Sequence, residues 1–179
     1  MVAGLERNTA VLNSSCVSQN HKDCWTLKEA YQLLGGNQPS DIPFRVWLLE
    51  NPDSPVALPG KIDLYRHDCI HVLLNRGFSL NDEAFVIGLT MGNDTQTNWL
   101  HISLFKFFSM LFYPKIYKFT KNHLKSFDLG ISYGRTLLIK NLNHFNFKRY
   151  QNHTIDELRK LIGIDTDILK TIEQAEEVL

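Results

Sequence analysis

Two histidines, His67 and His71, stand four residues apart in LYRHDCIHVLLNRGFSLNDEAFVIG, with Asp68 beside the first and Glu83 following after the next loop. On a helix that spacing puts both imidazoles on one face, one turn apart, where they can reach a single ion. Asp68 flanks the same face, and Glu83 enters from across a helix–loop–helix corner. Two imidazoles with one or two carboxylates make a ligand set of intermediate softness. It suits zinc, iron or manganese, with magnesium tolerated where water fills positions. Each residue alone has a structural explanation. A histidine on an apolar helix is ordinarily a hydrogen-bonded core residue, and acids near helix starts are ordinarily caps or dipole partners. The joint placement of all four points instead to a metal site, with His67, His71 and Glu83 as direct ligands and Asp68 as ligand or orienter.

Those residues need two helices and a tight corner. The pattern predicts a helix from about Lys61 to Asn75, stopped by Gly77 in a left-handed conformation. Ser79 or Asn81 caps the next helix, so Asp82 and Glu83 fall in its first turn, where the dipole favours carboxylates. Upstream, WTLKEAYQLLGG and DIPFRVWLLENP read as helices, and the proline-punctuated NPDSPVALPG reads as a loop. Downstream come TNWLHISLFKFFSMLFY, a helix restarted at Pro114 through KIYKFTKNHLKSF, and DLGISYGRTLLIKNL. Two last helices open at Thr154, whose Glu157 completes a capping box, and near Asp165 or Thr166. Strand alternation is scarce. The expected fold is all-α: a single domain of seven to nine helices over residues 22–179 with an apolar channel or core, preceded by a flexible leader over residues 1–21.

At 179 residues, 44% of them apolar, the chain is long enough to bury one core. A net charge of zero argues against a broadly basic face for nucleic acid. The charge is unevenly spread: Thr95 to Phe127 holds five lysines and no acid, while Gln151 to Leu179 holds seven acids. Cys16, His21 and Cys24 match no standard zinc knuckle, and three cysteines cannot all pair; free thiols in a reducing compartment are expected. The first residues lack the charged start and continuous apolar core of an export signal.

WLHISLFKFFSMLFY is apolar on nearly every side, yet at some fifteen residues with an internal lysine it is short of the ~20 that span a bilayer. Central core is its default reading, and a lipid-channel wall including Phe105, Phe108 and Phe112 or a membrane-facing surface are the functional alternatives. Lys115, Lys118, Lys121 and Lys125 recur at spacings of three, three and four. On one continuous helix they would form a basic face suited to an anionic membrane surface, each lysine worth ~1 kcal/mol. Gly130 and Gly134, one turn apart, allow another backbone or a lipid chain to approach, so Tyr133 and Gly134 join the lipid-binding candidates. Arg135 is the candidate for a phosphate or carboxylate headgroup.

The spaced motif in HDCIHVLLNRGFSLNDE, His-Asp-x-x-His followed by eleven residues and Glu, resembles the signature of the coenzyme Q biosynthesis protein 4 family. The likeness resumes in YGRTLL and in TIDELRKLIGID, so it covers about Leu64 to Asp165. It departs in a shorter, proline-rich approach to the motif and in Tyr-Gln where a Trp-Glu pair is expected near Tyr150. The resemblance implies an all-helical protein of ubiquinone biosynthesis, peripheral to the membrane that holds prenylated precursors. Such a protein acts partly as organiser of a biosynthetic complex and partly as catalyst of oxidative removal of the ring carboxylate. It implies His67, Asp68, His71 and Glu83 as ligands of a divalent ion. The expected partners are an isoprenoid lipid or prenylated quinone precursor, other quinone-biosynthesis proteins and a second copy of the chain in a homodimer. The expected location is cytoplasmic and membrane-peripheral, or the matrix side of the mitochondrial inner membrane in a eukaryote. Two rivals remain. A metal-dependent phosphohydrolase also carries an adjacent His-Asp pair but needs a further upstream histidine and a distant aspartate, for which His21 and Asp128 or Asp156 are the available residues. A lipid-presenting scaffold would use the ion only as a staple.

Overall fold

Two glycine pairs set the centre of the molecule. In the computed structural model, which describes residues 24–34, 53–54 and 57–177, helix α3 (Leu80–Asn93) crosses helix α5 (Lys121–Thr136) with backbone against backbone. A Cβ at Gly88 or Gly92 would collide with the carbonyl oxygens of Phe127 and Ile131, and one at Gly130 or Gly134 with those of Phe85 and Leu89. Small residues one turn apart on both helices therefore let the axes approach more closely than side chains allow.

Around this crossing stand α1 (Leu27–Leu34), α2 (Leu64–Leu74), α4 (Trp99–Leu111), α6 (Ile155–Ile162) and α7 (Thr166–Glu177), with two short 3-10 turns at Leu142–His144 and Phe147–Tyr150. The described residues form seven α-helices in one packed body and no strand. An isolated bridge between Thr26 and Thr154, with Leu27 N–H donating to the His153 carbonyl at 3.0 Å, ties α1 to α6. Helix α3 is buried without a break from Ala84 to Met91 because apolar clusters form on both its sides. Phe85, Val86 and Leu89 meet α2, α6 and α7 through Leu73, Leu158 and Leu169; Ala84, Ile87 and Met91 meet Phe105, Phe119 and Phe127. Buried polar groups close the far end. Asn93 accepts from Leu142 N–H at 2.7 Å and donates to the Ile139 carbonyl at 2.8 Å, while the Asp94 carboxylate accepts from Gly60 N–H at 2.8 Å.

Three expectations change. The continuous helix from Pro114 does not form: the chain turns and extends there, and α5 begins only at Lys121, capped by Thr120. Tyr113 and Phe119 are buried against Phe105, which folds the chain back on itself. Lys115 and Lys118 consequently lie before the helix, Lys121 and Lys125 in its first turns, and the four exposed lysines do not share one helical face. The left-handed stop after α2 is Asn75 (φ 54°), not Gly77, since the asparagine side chain tolerates that conformation. Cys24 is disulfide-bonded rather than a free thiol, whereas Cys69 is a buried free thiol. The expected leader, residues 51–52 and 55–56 of the loop, and the helix expected over DIPFRVWLLENP lie outside the described residues.

Candidate metal centre

Helix α2 starts at Asp63, whose carboxylate accepts the Arg66 N–H at 3.0 Å, and it presents Cys69, Ile70, Leu73 and Leu74 to the core. Its remaining side carries His67, Asp68 and His71. Asp68 and His71 are 3% and 0% exposed, a burial that polar side chains rarely accept without partners. After the Asn75–Gly77 corner, Ser79 caps α3 by accepting the Asp82 N–H at 3.2 Å, and Glu83 is thereby set one turn inside the helix, opposite the histidines. Arg76 holds the corner. Its guanidinium donates to Glu176 at 2.7 Å, lies 3.5 Å from Asp82 and sits 3.7 Å from the centre of the Phe85 ring.

One ligand atom from each of His67, His71 and Glu83 lies within 4.8 Å of the others, so this group is able to hold a metal ion. Glu83 spans the pair: Oε2 is 3.4 Å from His67 Nε2, and Oε1 is 3.6 Å from His71 Nε2. These separations are long for hydrogen bonds. They match the ~3.3–3.4 Å between two ligands that each bind a tetrahedral ion at ~2.0–2.1 Å. Neither His71 nitrogen completes a hydrogen bond, although the Gly77 backbone lies close enough to favour its proton. Asp68 is not in the converging group. Its Oδ1 stands 3.7 Å from His67 Nδ1, on the other side of that ring, where a carboxylate orients a ligating imidazole.

The electrostatics divide the two histidines. Burial opposes charge on His67, but Asp68 and Glu83 outweigh it and raise its pKa to about 10. Burial, reinforced by a positive His67, drives His71 down to about 4. Burial works against charge on Glu83 as well, yet the two histidines hold its carboxyl below the usual range. A site that keeps one imidazole neutral and a carboxylate ionised has two ligands already in their binding forms, and an ion displaces a proton only from His67. A cavity of about 290 Å³ reaches His71 from between α1, the end of α2 and α6, and is lined by Trp25, Leu33, Leu34, Arg76 and Arg159. Arg76, Arg159 and the Phe78 ring, 4.9 Å from that of His71, are site neighbours that the sequence reading did not single out. No pattern of period or spacing marks them; only the corner brings them in.

The other sequence candidates fall elsewhere. Phe105 is stacked on Phe127 at 4.9 Å in the core. The Tyr133 hydroxyl accepts from Asp165 N–H at 2.9 Å, and Gly134 is closed by the Leu89 backbone. Internal packing occupies all three. Phe108 is half-buried and Phe112 exposed at the end of α4, and Arg135 is exposed at the end of α5. Fold and site together define a helical protein with a two-histidine, one-carboxylate group fit for a metal ion. No family model, curated protein or solved structure matches the chain.

Proposed function

We propose that the chain is a divalent-metal protein of ubiquinone or related quinone biosynthesis, holding the ion on His67, His71 and Glu83 beside the head of an isoprenoid quinone precursor or prenyl phosphate. The convergence of those three side chains, with His71 fully buried, carries this reading. A two-histidine, one-carboxylate set with open positions favours iron, manganese or zinc over magnesium. When bound, the ion would supply Lewis acidity at the precursor's ring oxygens and, as iron, a route to the oxidative loss of the ring carboxylate that the family resemblance implies. The protein's own groups do the positioning: Asp68 stands behind the His67 ring, Arg76 holds the α2–α3 corner, and His71 is withdrawn from the surface. A cavity of about 290 Å³ suits a ring or headgroup and leaves the tail outside.

Phosphate-ester hydrolysis has less support. Asp128 and Asp156 are held in exposed ion pairs with Lys106 and Lys160, away from the histidine pair. A scaffold that uses the ion as a staple is separated by His71→Ala. In the catalytic reading this variant loses both metal and quinone production in a complementing host; in the staple reading it keeps production. Metal analysis and lipid extraction of protein purified without chelator test the proposal directly. One equivalent of metal is expected, lowered at least about hundredfold in affinity by His67→Ala or His71→Ala, together with a prenylated aromatic compound. Metal-free protein from that preparation, or full metal content in both variants, overturns it.

A further inference from the structure

Helix α7 is fastened to the body at two places that differ in kind. At its start the Asp165 N–H donates to the Tyr133 hydroxyl at 2.9 Å, and Leu169 enters the core with Ile172 half-buried beside it. Beyond Ile172, every residue to Glu177 is exposed except Glu176. That side chain is 8% exposed and is ion-paired at 2.7 Å with Arg76, whose side chain is 2% exposed. The helix has little reason of its own to keep its last turn. Glu173 faces Glu176 and Glu177 at i+3 and i+4, spacings at which like charges repel, and the last turn carries no basic residue to answer the negative end of the dipole. What closes it is Arg76, and the closure is incomplete: Arg76 Nε and Glu176 Oε1 are buried without hydrogen-bond partners.

We propose that the last turn of α7 is a clasp on the metal corner, with Glu176 acting through Arg76 to position Glu83 from a third helix, and that the clasp closes more firmly when the ion is bound. This rests on the reading of His67, His71 and Glu83 as a metal site. The path between them is short. Arg76 N–H donates to the His71 carbonyl at 3.0 Å, which fixes it to one ligand through the backbone. Its guanidinium lies 3.5 Å from Asp82 and 3.7 Å from the centre of the Phe85 ring, and these two residues flank Glu83 on α3. With Glu176 in place the guanidinium is drawn toward α7 and stands off Asp82 at a distance long for a hydrogen bond. Without it the guanidinium closes on Asp82, and the first turn of α3 shifts with Glu83 on it. Metal–ligand distances tolerate only ~0.2 Å, so such a shift weakens the site. A buried ion pair that is partly unsatisfied balances attraction against desolvation, which leaves this turn free to open. By linkage, an ion held better with the clasp closed also closes the clasp by the same factor.

Zinc titration of the full chain, stripped first with chelator, tests the clasp together with amide exchange in the same samples. Glu176→Gln keeps the size of the side chain and removes its charge; it should weaken zinc binding by about tenfold at unchanged helix content. Glu173→Gln, an exposed carboxylate near the same turn, should leave the affinity unchanged. In the wild-type chain zinc should slow exchange of the amides from Glu173 to Glu177 by about the same tenfold, a response that a purely structural ion pair does not give. Undiminished binding in Glu176→Gln, or an equal loss in Glu173→Gln, overturns the proposal. So does exchange in the last turn that ignores zinc, a measurement that needs no variant to fold. Those results strike the clasp alone, whereas a wild-type chain that takes up no zinc removes the metal reading and the clasp together.

Discussion

At the α2–α3 corner His71 and Asp68 are polar and almost without exposure, whereas on α4 Trp99 and Phe107 are apolar and stand 76% and 52% in solvent. Both regions depart from the ordinary sorting of side chains, in opposite directions, and the rest of the fold shows how each departure is sustained. The corner is held from every side, by the Ser79 cap, by Arg76 between Glu176 and Asp82, and by the Phe78 ring over His71. A buried imidazole without a hydrogen bond costs about 1–3 kcal/mol, which only a rigid surround can maintain. The α4 face needs no such surround because leaving apolar groups in water forfeits stability without straining anything. Its single deep anchor is Phe105. The polar corner is thus over-determined, and the apolar face is held by little.

The largest expected effect breaks that anchor. Phe105→Ala removes a ring packed against Phe119, Phe127 and Tyr113 and should destabilise the chain by about 4 kcal/mol in urea unfolding, with α4 the first helix to lose amide protection. Next comes the crossing on which both regions depend. Gly134→Ala places a methyl against the Leu89 carbonyl, and Gly130→Ala places one against that of Phe85; each should cost about 2 kcal/mol despite the better helix propensity of alanine. An increase in stability for either variant would mean that the helices are not in backbone contact.

The corner was more legible in the sequence than the face. Its ligands sit on local periods, i and i+4 on one helix and the first turn of the next, so type and spacing sufficed to bring His67, His71 and Glu83 together. The caps were readable for the same reason: Thr154 and Glu157 do form the capping box, and the Asp165 carboxylate does accept from the first amides of α7. What failed depended on distant packing. Gly130 and Gly134 suggested a close approach, but nothing local says that it is made by Gly88 and Gly92. The lysines suggested a single helix because their spacing allows one; burial of Tyr113 and Phe119 on Phe105 decides otherwise. The apolar run around Phe107 read as core because apolar composition cannot say which side of a helix the protein covers.

A pH profile separates the two histidines. In metal-free protein, His71 binds a proton less readily folded than unfolded, so stability should rise with pH from about 4 to about 6.5 as that penalty fades. His67 binds its proton more readily folded, so stability should fall as pH rises from about 6.5 toward about 10. Each limb should amount to on the order of 1 kcal/mol or more. Urea midpoints across that range, with chelator present, should show His67→Gln losing the alkaline limb and His71→Gln flattening the acid limb. A flat profile in the wild-type chain would remove the electrostatic account of the corner.

The smallest expected effect is the sharpest test of the contrast. Phe107 is two residues from Phe105 on the same helix and has the same side chain, but it is half exposed and touches only the Phe108 and Phe112 rings among its aromatic neighbours. Phe107→Ala should therefore change unfolding stability by less than about 0.5 kcal/mol, since it exposes no core and opens no cavity. It should also leave metal content as in the wild-type chain. A loss approaching that of Phe105→Ala would mean that the outward side of α4 is covered by the protein itself. It would then be a second core, and the comparison between an over-determined corner and an uncovered face would collapse. A near-zero change beside a large one, two positions apart, would instead show that the apolar face of α4 is retained for something other than folding.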